Sequence, residues 1–186
     1  MSNFRRYFIP GGTYFFTLKS EYNAPIFTDL ESINWLKTAI EETQTELPFE
    51  IIAEVTLPDH LHMIWSLPSG DTDYPTRWNK LKSIFTKQYL SEDEPEQPRS
   101  ASRVLTRRRG VWQRRYWEHT IKNESDFERH FDYVHWNPVK HCYAKSPRDW
   151  PHSSFQRWVE AGVYDINWGQ GLEQSHRHLR LMQTGE

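Results

Sequence analysis

The sequence predicts an α+β fold, a four-stranded antiparallel sheet with helices packed on it. Three observations predict it. Segments rich in aromatic and β-branched residues occur four times. Segments with apolar residues at helical spacing fall between and after them, in the order strand, helix, strand, strand, helix, strand, helix, helix. The second and third strands are separated by little more than Pro58-Asp59, so they form an antiparallel hairpin. Four strands with helices gathered on one face make a sandwich of the ferredoxin-like, RRM-like kind.

Each element has its own signal. Tyr14, Phe15, Phe16 and Thr17 follow the Gly11-Gly12 turn and mark a strand over residues 7–18. Thr28 or Asp29 caps a helix running to about residue 46, with Leu30, Ile33, Leu36 or Ala39, and Ile40 on one face. Strands follow over 49–57 and 60–67, then a loop at Pro68-Ser69-Gly70-Asp71. Trp78, Leu81 and Phe85 share a face of a helix over 76–90. Residues 91–110 read as a loop, and 111–122 as the fourth strand. Ser125, with Glu128 three residues on, opens the next helix as a capping box. That helix stops near Asn137, because a residue before proline disfavours the helical region and Pro138 follows. Trp150-Pro151 starts a last helix that Gly162 ends. The expected organisation is one domain over 1–165 and a loosely attached tail over 166–186.

Composition narrows the classes. A chain of 186 residues buries a core without a disulfide or metal staple. Its single cysteine, Cys142, excludes an internal disulfide and a multi-cysteine zinc module. No apolar run of about 18 residues occurs, and no apolar signal core follows the start, so no membrane partner and a reducing, cytoplasmic location are expected. The net charge of −2 argues against nucleic-acid binding by bulk charge. That charge is segregated, however. Glu92, Asp93, Glu94 and Glu96 form an acidic block, and seven arginines follow between Arg99 and Arg115 with no acid among them. Such a stretch is either a solvated loop or a phosphate-contacting arm, for which the guanidinium fork is suited. Nine Trp, nine Tyr and ten Phe fill a core or stack on bases.

Two motifs carry chemistry. His60-Leu61-His62 lies at the start of a strand, where alternation puts both imidazoles on one face and Leu61, Met63 and Trp65 on the other. Two imidazoles so placed can grip one divalent ion, or simply form a hydrogen-bonded pair. In the helix after Ser125, Phe127, Phe131 and Val134 form an apolar seam, and His130, Tyr133 and Asn137 form a neighbouring stripe. Tyrosine can act as a covalent nucleophile, and an asparagine oxygen suits a hard cation. The bland alternative is a core tyrosine and a helix-ending asparagine.

Together, Leu57-Pro58-Asp59-His60-Leu61-His62-Met63-Ile64-Trp65 and Asp132-Tyr133-Val134-His135-Trp136-Asn137-Pro138-Val139-Lys140-His141 resemble the two signatures of the REP-associated tyrosine transposases. These are a branch of the single-tyrosine HUH (His-hydrophobic-His) transposases. The opening Arg5-Arg6-Tyr7-Phe8-Ile9-Pro10-Gly11-Gly12-Thr13-Tyr14-Phe15-Phe16-Thr17, the run Trp112-Gln113-Arg114-Arg115-Tyr116-Trp117-Glu118-His119 and Asp149-Trp150-Pro151-His152-Ser153-Ser154-Phe155 resemble further family stretches. The likeness extends over roughly residues 3–168.

The resemblance implies the HUH endonuclease fold and a metal-dependent single-stranded DNA endonuclease and strand transferase. By it, His60, His62 and Asn137 hold Mg²⁺ or Mn²⁺. Tyr133 attacks a DNA phosphate, giving a 5′-phosphotyrosine and a free 3′-hydroxyl. The DNA is a repetitive extragenic palindrome, a hairpin with a guide tetranucleotide beside its foot. The enzyme works as monomer or dimer in the bacterial cytoplasm, at the nucleoid. Three routes for ionising Tyr133 stay open: the field of the metal, transfer of the proton to His130, or transfer to a water. Arg107, Arg108, Arg109, Arg114 and Arg115 are expected to contact phosphates, and the segment with Arg5, Arg6 and Gly12 to choose bases. Three features depart from the family pattern. Cys142 stands where glycine is common, the arginine-rich insertion is long, and Asn137 replaces the glutamine that insertion-sequence relatives often use. Two rival readings are a non-catalytic, sequence-specific nucleic-acid-binding protein of the same fold and a small metal-dependent hydrolase acting on another substrate.

Overall fold

The computed structural model describes residues 8–170, together with Leu179, Met182, Thr184 and Gly185. In chain order its elements are β1 (Thr13–Lys19), α1 (Leu30–Glu46), β2 (Glu50–Thr56), β3 (His60–Ser66), α2 (Tyr74–Ser91), α3 (Ala101–Leu105), β4 (Trp117–Thr120), α4 (Glu124–Lys140) and α5 (Phe155–Glu160). The four strands form one sheet in the order β2-β3-β1-β4, antiparallel throughout. Pro58-Asp59 turns the β2–β3 hairpin, closed by the Leu57 N–H donating to the His60 carbonyl at 2.8 Å. Among the described residues, no helix is long and apolar enough to cross a membrane.

Alternation along the two central strands builds two cores. Tyr14, Phe16 and Leu18 of β1 and Leu61, Met63 and Trp65 of β3 pack against α1 and α2 through Ile33, Leu36, Trp78, Leu81 and Phe85. Phe15 of β1, Ala53 and Val55 of β2 and Ile64 of β3 pack against α4 and α5 through Phe131, Tyr133, Val134, Trp136 and Phe155. The helices therefore cover both faces, not the one face expected. Strands β1 and β3 are buried along nearly their whole length, and a strand without a polar face needs cover on both sides.

Several boundaries differ from the sequence reading for local reasons. Strand β1 begins at Thr13 because the preceding segment turns: Gly11 has φ 66° and the Gly12 N–H donates to the Ile9 carbonyl at 2.9 Å. The expected strand over 111–122 contributes two separate pieces beside β1. Trp112 bridges Ser20, and β4 starts only at Trp117, after the exposed Arg114 and Arg115 interrupt the pairing. The cap of α4 is Asn123, not Ser125: its side chain accepts from the Asp126 N–H at 2.9 Å. Helix α4 also continues through Pro138 to Lys140. The proline sits in the last turn, so only one intrahelical bond is lost there. The chain then leaves through Cys142 at φ 60°, with its N–H on the Val139 carbonyl and the Tyr143 N–H on the Pro138 carbonyl. The segment 150–154 is not helical as expected; it runs along β2, with Thr56 N–H donating to His152 and Ser154 N–H to Glu54. Gly162, φ 74°, ends α5 as expected. Beyond residue 165, where a loose tail was expected, the described Leu179 and Thr184 are buried. Residues 171–178 of that tail lie outside the described residues.

Candidate active site

Helix α4 crosses the sheet face that carries His60 and His62. Tyr133, Asn137 and His141 lie at i, i+4 and i+8 along one stripe of it. The Tyr133 ring stands edge-on to His62 at 5.3 Å between centroids, and His141 stands against His60 at 5.1 Å. The two strand histidines are themselves 5.1 Å apart and nearly perpendicular. Asn137, between the two ends of the stripe, is thereby set over the histidine pair. His60, His62, Tyr133 and Asn137 are all buried.

Hydrogen bonds fix the imidazole tautomers. His60 Nδ1 lies 2.7 Å from Asp59 Oδ1, so this nitrogen carries the proton and donates it to the carboxylate. Burial pushes the Asp59 carboxyl up, but the hydrogen bond from His60 leads the pulls that outweigh it and hold Asp59 below its usual range. His62 Nδ1 lies 2.8 Å from Thr17 Oγ1. That hydroxyl gives its only proton to the Thr184 carbonyl at 2.5 Å, so it accepts from His62 Nδ1–H. Both lone pairs then reside on Nε2. Both Nε2 atoms and the Asn137 Oδ1 are buried. Two imidazole nitrogens oriented by outer partners, plus an amide oxygen, form a donor set that fits a divalent cation.

The phenolic oxygen of Tyr133 has two close neighbours that the sequence reading missed. Lys140 Nζ donates to it at 2.7 Å and stands 4.8 Å from the ring centroid. Thr184 Oγ1 lies 2.7 Å away. Lys140 was legible in principle, since i+7 from Tyr133 falls on the same helix stripe. Thr184 has no sequence signal: it meets Tyr133 across 51 positions.

His130 occupies the expected stripe but is drawn to other partners. Its Nδ1 lies 2.8 Å from the Asp126 carbonyl, and its ring stacks on His119 at 4.4 Å. His119 Nε2 contacts Asp126 Oδ2 at 2.8 Å. Burial lowers the His130 pKa, against the bond to Asp126 that raises it. His119, Asp126 and His130 bring ligand atoms within 4.8 Å of one another, a second group able to hold a metal.

The arginine-rich segment is more ordered than a loop. It contains α3, and its acids clamp part of it. Glu96 receives Arg109 in a two-pronged pair at 2.9 and 2.7 Å, and Arg103 pairs with Glu21. The Arg109 bond holds the Glu96 carboxyl down at about 2. Arg107, Arg108, Arg109 and Arg114 line a basic cavity beside α2, whereas Arg115 is exposed outside that lining. Gly12 sits at the end of β1 away from Lys19, the register partner of His60, and a Cβ there would meet the Ile9 carbonyl oxygen at 2.9 Å. The structure does not bring Gly12 to the tyrosine site. Arg5 and Arg6 lie outside the described residues.

No family model matches the chain. Two relatives match it over nearly their full lengths. A Haemophilus influenzae protein, provisionally named a REP-associated tyrosine transposase, is 41% identical over 169 residues, 91% of this chain and 94% of its own. An Escherichia coli REP-associated tyrosine transposase is 40% identical over 170 residues, 90% of this chain and 91% of its own. A solved structure of a REP-associated tyrosine transposase bound to a REP hairpin superposes with a TM-score of 0.78 at 36% identity, covering 100% of this chain and 98% of that one. A sheet with a buried histidine pair, crossed by a tyrosine helix and matched at this level, defines a tyrosine transposase. Within that class, the chain belongs to the REP-associated tyrosine transposases.

Proposed function

We propose that this transposase is a metal-dependent single-strand endonuclease and strand transferase that cuts beside REP-type hairpins carrying a guide tetranucleotide, with Tyr133 as nucleophile. The observation that carries the reading is the placement of the Tyr133 oxygen: against Lys140, beside the His62 ring, on the helix stripe that also presents Asn137.

His60, His62 and Asn137 would hold the ion. When bound, it neutralises negative charge on the phosphate oxygens as the transition state forms. Two imidazoles favour Mn²⁺ over Mg²⁺, which takes oxygen ligands. An ordinary tyrosine, with a pKa of about 10, is protonated at neutral pH. Lys140 counters the charge that develops on the phenolic oxygen as its proton departs. The oxygen attacks phosphorus, a tyrosyl O–P bond forms and the P–O3′ bond breaks. The phenolic proton ends on the 3′-oxygen, by way of solvent. A relay through His130 has to run past Asp126, to which its Nδ1 is committed. The phosphotyrosine retains a good leaving group, so a second 3′-hydroxyl reverses the step onto a new strand without ATP. Thr184 occupies one side of the phenolic oxygen and must withdraw as the phosphate enters. With DNA as substrate, the enzyme acts in the bacterial cytoplasm at the nucleoid.

The test mixes purified protein with an end-labelled hairpin bearing a single-stranded flank, with Mn²⁺ or with chelator. A protein–DNA band that survives denaturation, and only with Mn²⁺, is expected. Tight hairpin binding with no such band under any divalent ion would instead establish the non-catalytic binding reading.

A further inference from the structure

We infer that the basic cavity beside α2, across the sheet from Tyr133, is a phosphate-binding site that grips the duplex stem of the hairpin. The inference deepens the proposed function and rests on it. The cavity encloses about 770 Å³ between α2 and the arginine-rich segment. Lys82, Lys87, Arg107, Arg108 and Arg114 line it, and no carboxylate is among its lining residues. The acids nearby are already engaged, Glu21 by Arg103 and Glu96 by Arg109, so they fix the walls rather than neutralise the interior.

Lys82 shows that the cavity is built for an anion. Its ammonium donates to the Gln113 carbonyl at 2.8 Å and lies 5.8 Å from the Trp112 ring centroid. An ammonium has three N–H donors, and among the described residues only this one bond is made. Burial, then Arg103 and Arg108, push its pKa down to about 8 against the pull of Glu21, which is already paired with Arg103, so within the cavity Lys82 has no counter-charge of its own. A phosphate supplies that charge and the missing acceptors.

The lining also says which part of the DNA enters. Grooves for single strands present aromatic faces on which bases stack. The one aromatic residue in this lining, Trp112, is only 4% exposed, so the site reads backbone and not bases. Position links it to cleavage. The Gln113 N–H pairs with the Lys19 carbonyl at 2.9 Å, and Lys19 is the register partner of His60. The cavity wall thus stands two strand spacings, about 10 Å at ~4.8 Å each, from the metal-binding histidine. A stem anchored here sets a fixed reach from its foot to the phosphate facing Tyr133.

The experiment measures binding by fluorescence anisotropy, without divalent metal, over a range of salt. The probes are the hairpin and an unstructured single strand of equal length. Lys82→Met keeps the stem of the side chain, and Arg108→Gln changes an exposed residue, so a folding defect in one does not obscure the other. For the double variant we expect roughly tenfold weaker hairpin binding and a salt slope flatter by about 0.9 per lost contact, with the single strand unaffected. Hairpin affinity and slope unchanged in both variants, or equal losses on hairpin and single strand, overturn the stem site while leaving the proposed function standing. A wild-type protein that binds no hairpin overturns both.

Discussion

On the α1–α2 face of the sheet, Tyr14, Phe16, Leu61, Met63 and Trp65 meet Trp78, Leu81 and Phe85, with Trp65 and Trp78 stacked at 3.9 Å. On the α4–α5 face the same two strands place Thr17, His60 and His62 among Phe15, Ile64 and Val134. Both faces are buried, but they are held differently. The first is held mainly by shape and apolar area, with a buried polar pair at its edge, the Tyr74 hydroxyl on Glu118 at 2.7 Å. The second buries polar atoms, and each named one is matched: Asp59 to His60, Thr17 to His62, Thr184 to Thr17 and Tyr133. Changes to the first face should therefore cost stability and spare chemistry. Changes to the second should cost chemistry out of proportion to stability.

The largest expected effect is on the second face. Tyr133→Phe removes one oxygen and keeps the ring, so cleavage and adduct should vanish while gel-shift binding of the hairpin persists. Trp78→Ala probes the first face: it should cost about 3–5 kcal/mol in urea unfolding, since the side chain is fully buried. The protein that remains folded should cut at the normal rate, and a lost rate without lost stability would break the contrast between the faces. Lys140→Met should slow single-turnover cleavage by about 10²–10³-fold, as loss of a transition-state donor does, with Lys140→Arg recovering part of the rate. Thr17→Val removes the acceptor that orients His62, and Mn²⁺ affinity by calorimetry should fall about 10–100-fold with the fold intact. The smallest effect concerns neither face. Cys142→Gly relieves a left-handed residue at the end of α4 and should stabilise the protein by about 1 kcal/mol.

The reach of the sequence follows from locality. Alternation along β3 is a two-residue rule, and it put His60 and His62 on one face before any coordinates. Helical spacing likewise grouped Tyr133 with Asn137. Cys142 in a glycine position was visible too, and its positive φ is the physical reason glycine suits that place. What was misread depends on competition or distance. Asn123 outcompeted Ser125 as a cap, and the last turn of α4 absorbed Pro138 because packing against the sheet outweighs one lost hydrogen bond. The two-sided cover of the sheet, and the meeting of Thr17 with Thr184 across 167 positions, are tertiary facts with no local pattern to announce them.

The central claim is that the Tyr133 oxygen becomes bonded to DNA phosphorus. It is tested most directly by forming the covalent complex with Mn²⁺ and a hairpin, digesting protein and DNA, and locating the attached nucleotide by tandem mass spectrometry. The account predicts a 5′-phosphonucleotide on the peptide carrying Tyr133, with a free 3′-hydroxyl on the released strand. A nucleotide on Tyr116 or Tyr143, or cleavage that leaves no nucleotide on the protein, would contradict it.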